Sequence, residues 1–149
     1  MNSGMYSSKS DLWSTPQDFY DDLNREFGFK LDACALPCNA KCKAFYSPEQ
    51  DGLRQDWASV TWCNPPYGRE IGKWVRKARK EAERGNTVVC LLPARTDTRW
   101  FHDYILGCAE IRFVRGRLKF GGSNNSAPFP SMVAIFRPKN RKGVLENER

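Results

Sequence analysis

No apolar stretch in this 149-residue chain approaches the roughly 20 residues that a membrane-crossing helix needs. No membrane partner is therefore expected. The first ten residues are Ser-rich and carry no apolar run of the kind a secretion signal requires. A flexible lead-in over 1–10 and a cytoplasmic setting follow as expectations. Histidine occurs once, at His102, and no C-x-x-C pair exists. Cys34, Cys38 and Cys42 are spaced four apart, but nothing nearby completes a zinc site, so no metal is expected. Cys63 and Cys90 fall inside apolar runs and read as small buried hydrophobes. With no signal segment, reduced thiols are expected rather than disulfides. The chain also lacks Gly-x-Gly after its first strand-like segment. Ala33-Cys34-Ala35 stands there instead, small residues that still permit close backbone approach.

What is abundant is positive charge. Lys and Arg outnumber Asp and Glu, 24 to 17, for a formal charge of +7 and a pI near 9.2. Such an excess favours polyanions, with nucleic acid the first candidate. The length suits one domain with a single core.

Along the chain, Thr15 and Pro16 read as the cap and first residue of a helix. Phe19, Leu23 and Phe27 recur at helical spacing, and Gly28 ends the run. Phe29 to Ala33 reads as a short strand tipped by Asp32. Phe45-Tyr46 reads as a short edge strand and Asp51-Gly52 as a turn. Val60 to Cys63 is a buried strand. Arg69 to Arg84 is the clearest helix, with Ile71, Trp74, Val75, Ala78 and Ala82 on one stripe and a solvated basic face. Thr87 to Leu92 is a continuous apolar run, hence a central parallel strand. Trp100 to Leu106 reads as a helix closed by Gly107. Ala109 to Val114 and Met132 to Phe136 complete the strands. Residues 138–149 are charged and read as a loose tail.

Strands alternating with helices argue an α/β domain over 11–137 with a mostly parallel sheet. The last two strands are joined without a helix, which places an antiparallel strand at or near one edge.

Asn64-Pro65-Pro66-Tyr67 is the chemically richest stretch. The prolines carry no N–H and fix φ, so the Val60–Cys63 strand must stop there. In open α/β sheets that carboxyl edge is where ligands bind. The Asn64 side-chain carbonyl and the backbone carbonyls of Asn64 and Pro65 are acceptors beside the flat ring of Tyr67. The set suits a planar group bearing –NH2. The plain alternative is a proline turn closing a strand. The tetrapeptide resembles the catalytic motif of amino-methyltransferases that use S-adenosylmethionine. That resemblance implies catalysis by positioning and electrostatics without a strong base.

The likeness extends further. Ser14-Thr15-Pro16, Leu31-Asp32-Ala33-Cys34-Ala35, Gln55-Asp56-Trp57, Trp62 to Gly68, Leu92 to His102, Lys119 to Gly122 and Asn125 to Met132 together resemble the phage-encoded Dam-like DNA N6-adenine methyltransferases. The resemblance covers nearly everything from Asp11 to Phe136. It implies a Rossmann-like S-adenosylmethionine-dependent methyltransferase fold, with double-stranded DNA as partner and the host cytoplasm as setting. It implies that Asn64, Pro65, Pro66 and Tyr67 are catalytic. It implies donor contacts at Thr15, Pro16, Asp32, Ala33 and Cys34, and at Asp56 with Trp57 for the donor's adenine. The missing glycine-rich loop is the departure from the pattern. An adenine buried in a duplex must be flipped out to react. Tyr67 would stack on it, with Phe129 a second face or a core residue. Arg95, Arg99, Arg115, Arg117 and Lys119 sit on loops near the active edge and suit phosphates or a guanine. An RNA base methyltransferase and a non-catalytic nucleic-acid-binding module on the same fold are the alternatives.

Overall fold

The computed structural model describes residues 13–122 and 125–138. The expected lead-in and most of the expected tail lie outside these residues. Helix α1, Gln17–Phe27, ends at Gly28, whose φ of 69° is the left-handed conformation that closes helices. Strand β1 is only Leu31–Asp32. A long connection with a 3₁₀ turn at Gly52–Arg54 leads to β2, Val60–Cys63. Helix α2, Ile71–Glu83, precedes β3, Thr87–Pro93. A π-helical turn at Phe101–Ile105 leads to β4, Glu110–Phe113. Strand β5, Ser131–Phe136, ends the fold.

The five strands form one open sheet in the order β1-β2-β3-β5-β4. β1, β2 and β3 are mutually parallel; β5 runs antiparallel to both β3 and β4. The antiparallel strand is thus one place in from the edge. The reason is burial: all six residues of β5 are buried, whereas β4 is mostly half-exposed and Phe113 is 65% exposed. The more continuous apolar run takes the inner position.

The α2 stripe behaves as its spacing dictates. Ile71, Trp74, Val75, Ala78 and Ala82 are all buried, and the helix packs on β3 and β5. Each large apolar side chain so buried contributes roughly 1.5–3 kcal/mol. Glu81 is buried on the same helix, only 1% exposed. It holds Lys77 Nζ at 2.8 Å, Asn86 Nδ2 at 2.8 Å, Arg84 Nη1 at 3.3 Å and the Trp57 N–H at 3.3 Å. Those donors tie α2 to the segment that enters β2.

Three expectations need correction. The expected strand Phe29–Ala33 is shorter, and Phe45 adds only a single parallel bridge, to Asp32. Thr15 does not cap α1: Pro16 occupies the cap position and no side chain bonds there. The Thr15 hydroxyl is engaged elsewhere, by Asn64. No described helix is long and apolar enough to cross a membrane.

Candidate active site

The parallel register brings three strand ends to one edge. Asp32 pairs with Trp62 and Cys63 with Cys90, so Asp32, Asn64 and Ala94 leave the sheet on the same side. The two prolines then turn the chain out of β2. The Tyr67 hydroxyl donates to the Leu91 carbonyl at 3.1 Å, which fastens the corner to β3.

The segment before α1 orients Asn64. Its Nδ2 donates to the Trp13 carbonyl and to the Thr15 hydroxyl, the latter at 3.0 Å. With the –NH2 so committed, Oδ1 points away from both acceptors. That oxygen is buried and has no hydrogen-bond partner among the described residues. Leaving a buried carbonyl unpaired costs roughly 1–3 kcal/mol, so the fold holds an acceptor in readiness.

A cleft lies on each side of this corner. The first encloses about 420 Å³, its open mouth included. Its walls include Thr15, Asp32, Cys34, Lys41, Trp62 and Asn64. Asp32 is buried, and its two oxygens accept the N–H groups of Cys34 at 3.2 Å and Lys41 at 3.0 Å. These bonds fold the 33–41 segment around the carboxylate. Burial pushes the Asp32 carboxyl up to about 6, against the pull of those N–H groups and of Lys41. Close beneath, Gly52 is obligatory, since a Cβ there would lie 2.2 Å from the Ala33 carbonyl.

The second cleft is wider, about 1060 Å³ with its mouth. Tyr67, Arg69, Arg95, Trp100 and Phe129 are among its walls. Tyr67 and Phe129 are buried and meet edge to face, 5.5 Å between ring centres at 68°. Tyr67 is therefore part of a packed aromatic wall, not a free plate; burial also pushes its phenol well up.

The structure brings some of the expected site residues together and separates others. Thr15, Asp32, Cys34, Asn64, Pro65 and Pro66 share the first cleft; Tyr67, Arg95 and Phe129 share the second. Pro16 opens α1, and Ala33 is buried with its N–H on the Trp62 carbonyl. Asp56 and Trp57 are not brought to the first cleft. The Asp56 side chain is 82% exposed and bridges Arg84 at 2.9 Å. Trp57 is buried against Trp74, its indole N–H on the Gly52 carbonyl. Both precede β2 and so sit at the opposite end of that strand from Asn64. Arg99, Arg115, Arg117 and Lys119 are exposed but line neither cleft. Arg117 donates to the Ala127 carbonyl at 3.3 Å.

Sequence reasoning passed over Trp13, Lys41, Arg69 and Trp100. Arg69 sits one residue beyond Gly68 and is the expected first residue of the helix; in the fold it precedes α2, which begins at Ile71, and lies in the turn at the cleft. Among the described residues no cluster of three or more His, Cys, Asp or Glu is placed to hold a metal.

An open α/β sheet with an acceptor corner between two clefts is a methyltransferase-like frame. The model for the family described as DNA N-6-adenine-methyltransferase (Dam) matches residues 2–147. The chain belongs to that family. A protein named DNA N-6-adenine-methyltransferase from Haemophilus phage HP1 is 32% identical over 94% of this chain and 86% of its own length. A protein of the same name from Escherichia phage T1 is 33% identical over 93% of this chain, which spans 59% of that relative. A third, named putative methyltransferase YfdM, from Escherichia coli K12, is 37% identical over 38% of this chain.

Proposed function

We propose that the chain transfers a methyl group from S-adenosylmethionine to the N6 amino group of an adenine flipped out of double-stranded DNA. The observation that carries this reading is the Asn64 Oδ1 atom, buried and unpartnered in the wall of the first cleft, with its amide nitrogen held by the Trp13 carbonyl and the Thr15 hydroxyl.

The first cleft fits the donor. It offers a buried carboxylate for an ammonium group, polar rims at Thr15 and Asn39, and apolar surface from Ala35, Leu36 and Trp62. Thr15, Asp32 and Cys34 would hold the donor, while Pro16 and Ala33 set the course of their segments. When bound, S-adenosylmethionine supplies an electrophilic methyl on a positively charged sulfur.

The chain's own residues prepare the acceptor. Asn64 Oδ1 and the Pro65 carbonyl accept the two amino hydrogens. The prolines contribute no N–H that would compete for those carbonyls. Held so, the nitrogen lone pair turns out of the ring's conjugation and toward the first cleft. The nitrogen would gain the methyl carbon as the donor's carbon–sulfur bond breaks and leaves a neutral thioether, and would afterwards release one proton to solvent, so no strong base is needed. Preorganised acceptors of this kind act through position and electrostatics.

The second cleft receives the base. Tyr67 and Phe129 stand in its wall, and Arg69 and Arg95 suit the flanking phosphates. Arg99, Arg115, Arg117 and Lys119 extend the basic surface outward.

Incubation with methyl-labelled S-adenosylmethionine and, separately, duplex DNA, RNA and protein tests the reading. Label should appear as N6-methyladenine in DNA. Label confined to RNA or protein, or none, would overturn it.

A further inference from the structure

Among the described residues Trp13 alone lines both clefts. Its main-chain carbonyl accepts from the Asn64 amide, so it helps aim Oδ1. Its ring stands edge-on to Phe129, 5.1 Å between centres at 88°, and to Phe120, 5.5 Å at 69°. The neighbouring Ser14 carbonyl accepts the Gly121 N–H at 2.8 Å, which stitches the segment to the other side of the cleft. The Trp13 indole Nε1 is buried and has no partner among the described residues. The same corner therefore carries one unpartnered buried acceptor and one unpartnered buried donor. An indole N–H can only donate.

We propose that Trp13 reads the target base, its indole N–H donating to a ring nitrogen beside the amino group that Asn64 Oδ1 accepts. This rests on the function proposed above and deepens it. Adenine presents an –NH2 donor flanked by acceptor nitrogens at N1 and N7. An acceptor at Asn64 and a donor at Trp13 complement that edge. Guanine turns an oxygen toward Asn64 Oδ1 and, on one flank, an N–H toward the indole; both contacts repel. Thymine likewise presents an oxygen where adenine presents –NH2. Buried polar groups built to pair a substrate edge discriminate strongly, because the wrong base leaves them unpaired.

The test uses a duplex holding the site that the wild-type chain methylates, with adenine, 1-deazaadenine or 7-deazaadenine at the target. Trp13→Phe keeps a ring and removes the donor. On adenine the variant should lose roughly tenfold to a hundredfold in kcat/KM. One deaza analogue should cost the wild type a similar factor and cost Trp13→Phe little more, the non-additivity expected of a direct contact. Duplex affinity by fluorescence anisotropy should largely hold, since phosphate contacts carry most of it, and the thermal shift with S-adenosylmethionine should not change. Independent, multiplying losses overturn the proposal. So does a variant that loses donor affinity while keeping the wild-type deaza pattern, since the N–H would then serve the first cleft. Should Trp13→Phe not fold, equal wild-type rates on adenine and both analogues overturn it. Failure of the wild type to methylate any adenine instead overturns the function beneath, whereas methylation that ignores both ring nitrogens overturns this proposal alone.

Discussion

Thr15 and Asn64 stand 49 residues apart in the chain, yet the Asn64 amide donates to the Thr15 hydroxyl at 3.0 Å. The Trp13 carbonyl settles which way the amide faces: it can only accept, so a flipped amide would set oxygen against oxygen there, whereas a hydroxyl could pair with either end. Thr15→Val keeps the shape and removes the acceptor. Methyl transfer should fall roughly tenfold and stability by about 1 kcal/mol. Asn64→Ala removes the acceptor itself and should lower transfer by about a hundredfold or more, as loss of a preorganised electrostatic contact does. DNA affinity should survive both changes. Anisotropy and single-turnover labelling separate the outcomes: parallel loss of binding and transfer would make the corner structural.

Asp32 predicts a pH dependence of stability. Its carboxyl titrates near 6 in the fold, against an ordinary 3.8. The folded chain thus holds the proton more tightly than the unfolded one between those values. Stability from this group is greatest below about 4, declines as pH rises toward 6, and is level above that. The decline should be roughly 2–3 kcal/mol. Urea unfolding of wild type and Asp32→Asn at pH 4.5 and 7.5 checks it. Parallel changes in the two proteins would show that Asp32 does not titrate this way.

Glu81 predicts a large loss of stability at a distance from the site. Four donors converge on its buried carboxylate. Glu81→Ala strands them and should cost on the order of 3–5 kcal/mol in urea unfolding. Donor affinity measured at low temperature should change little, because the network braces the α2–β2 side and not the first cleft. A cost under about 1 kcal/mol would mean water replaces the carboxylate freely.

Arg69 and Arg95 face the second cleft without a carboxylate partner among the described residues. Changing each to Ala should weaken binding to every DNA sequence and lower the salt slope of log affinity by about one per residue. Thermal stability should hold, since both are exposed. An unchanged slope would remove them from the phosphate contacts.

Much of the fold was legible because local pattern and tertiary packing agree. The α2 stripe and the β2 and β3 runs were read nearly to their ends, and Gly28 closes α1 as its position suggested. The errors arise where packing overrides local signals. Thr15 carries a cap signature but answers to Asn64, a partner no sequence window contains. Phe113 alternates as a buried strand residue should, yet lies exposed because β5 takes the inner position and leaves β4 at the edge. Asp56 lies close to the corner in sequence, but β2 carries the chain from one end of the sheet to the other between them.

By itself the sequence determined the strand and helix periodicity, the basic charge, and the proline corner, since each depends on side chains a few residues apart or on composition. Only the tertiary structure decided which oxygen of that corner is left unpaired, that a cleft opens on each side of it, and that Trp13 stands in the wall of both. Those facts depend on contacts between residues dozens of positions apart, and such contacts are set by how the whole core packs.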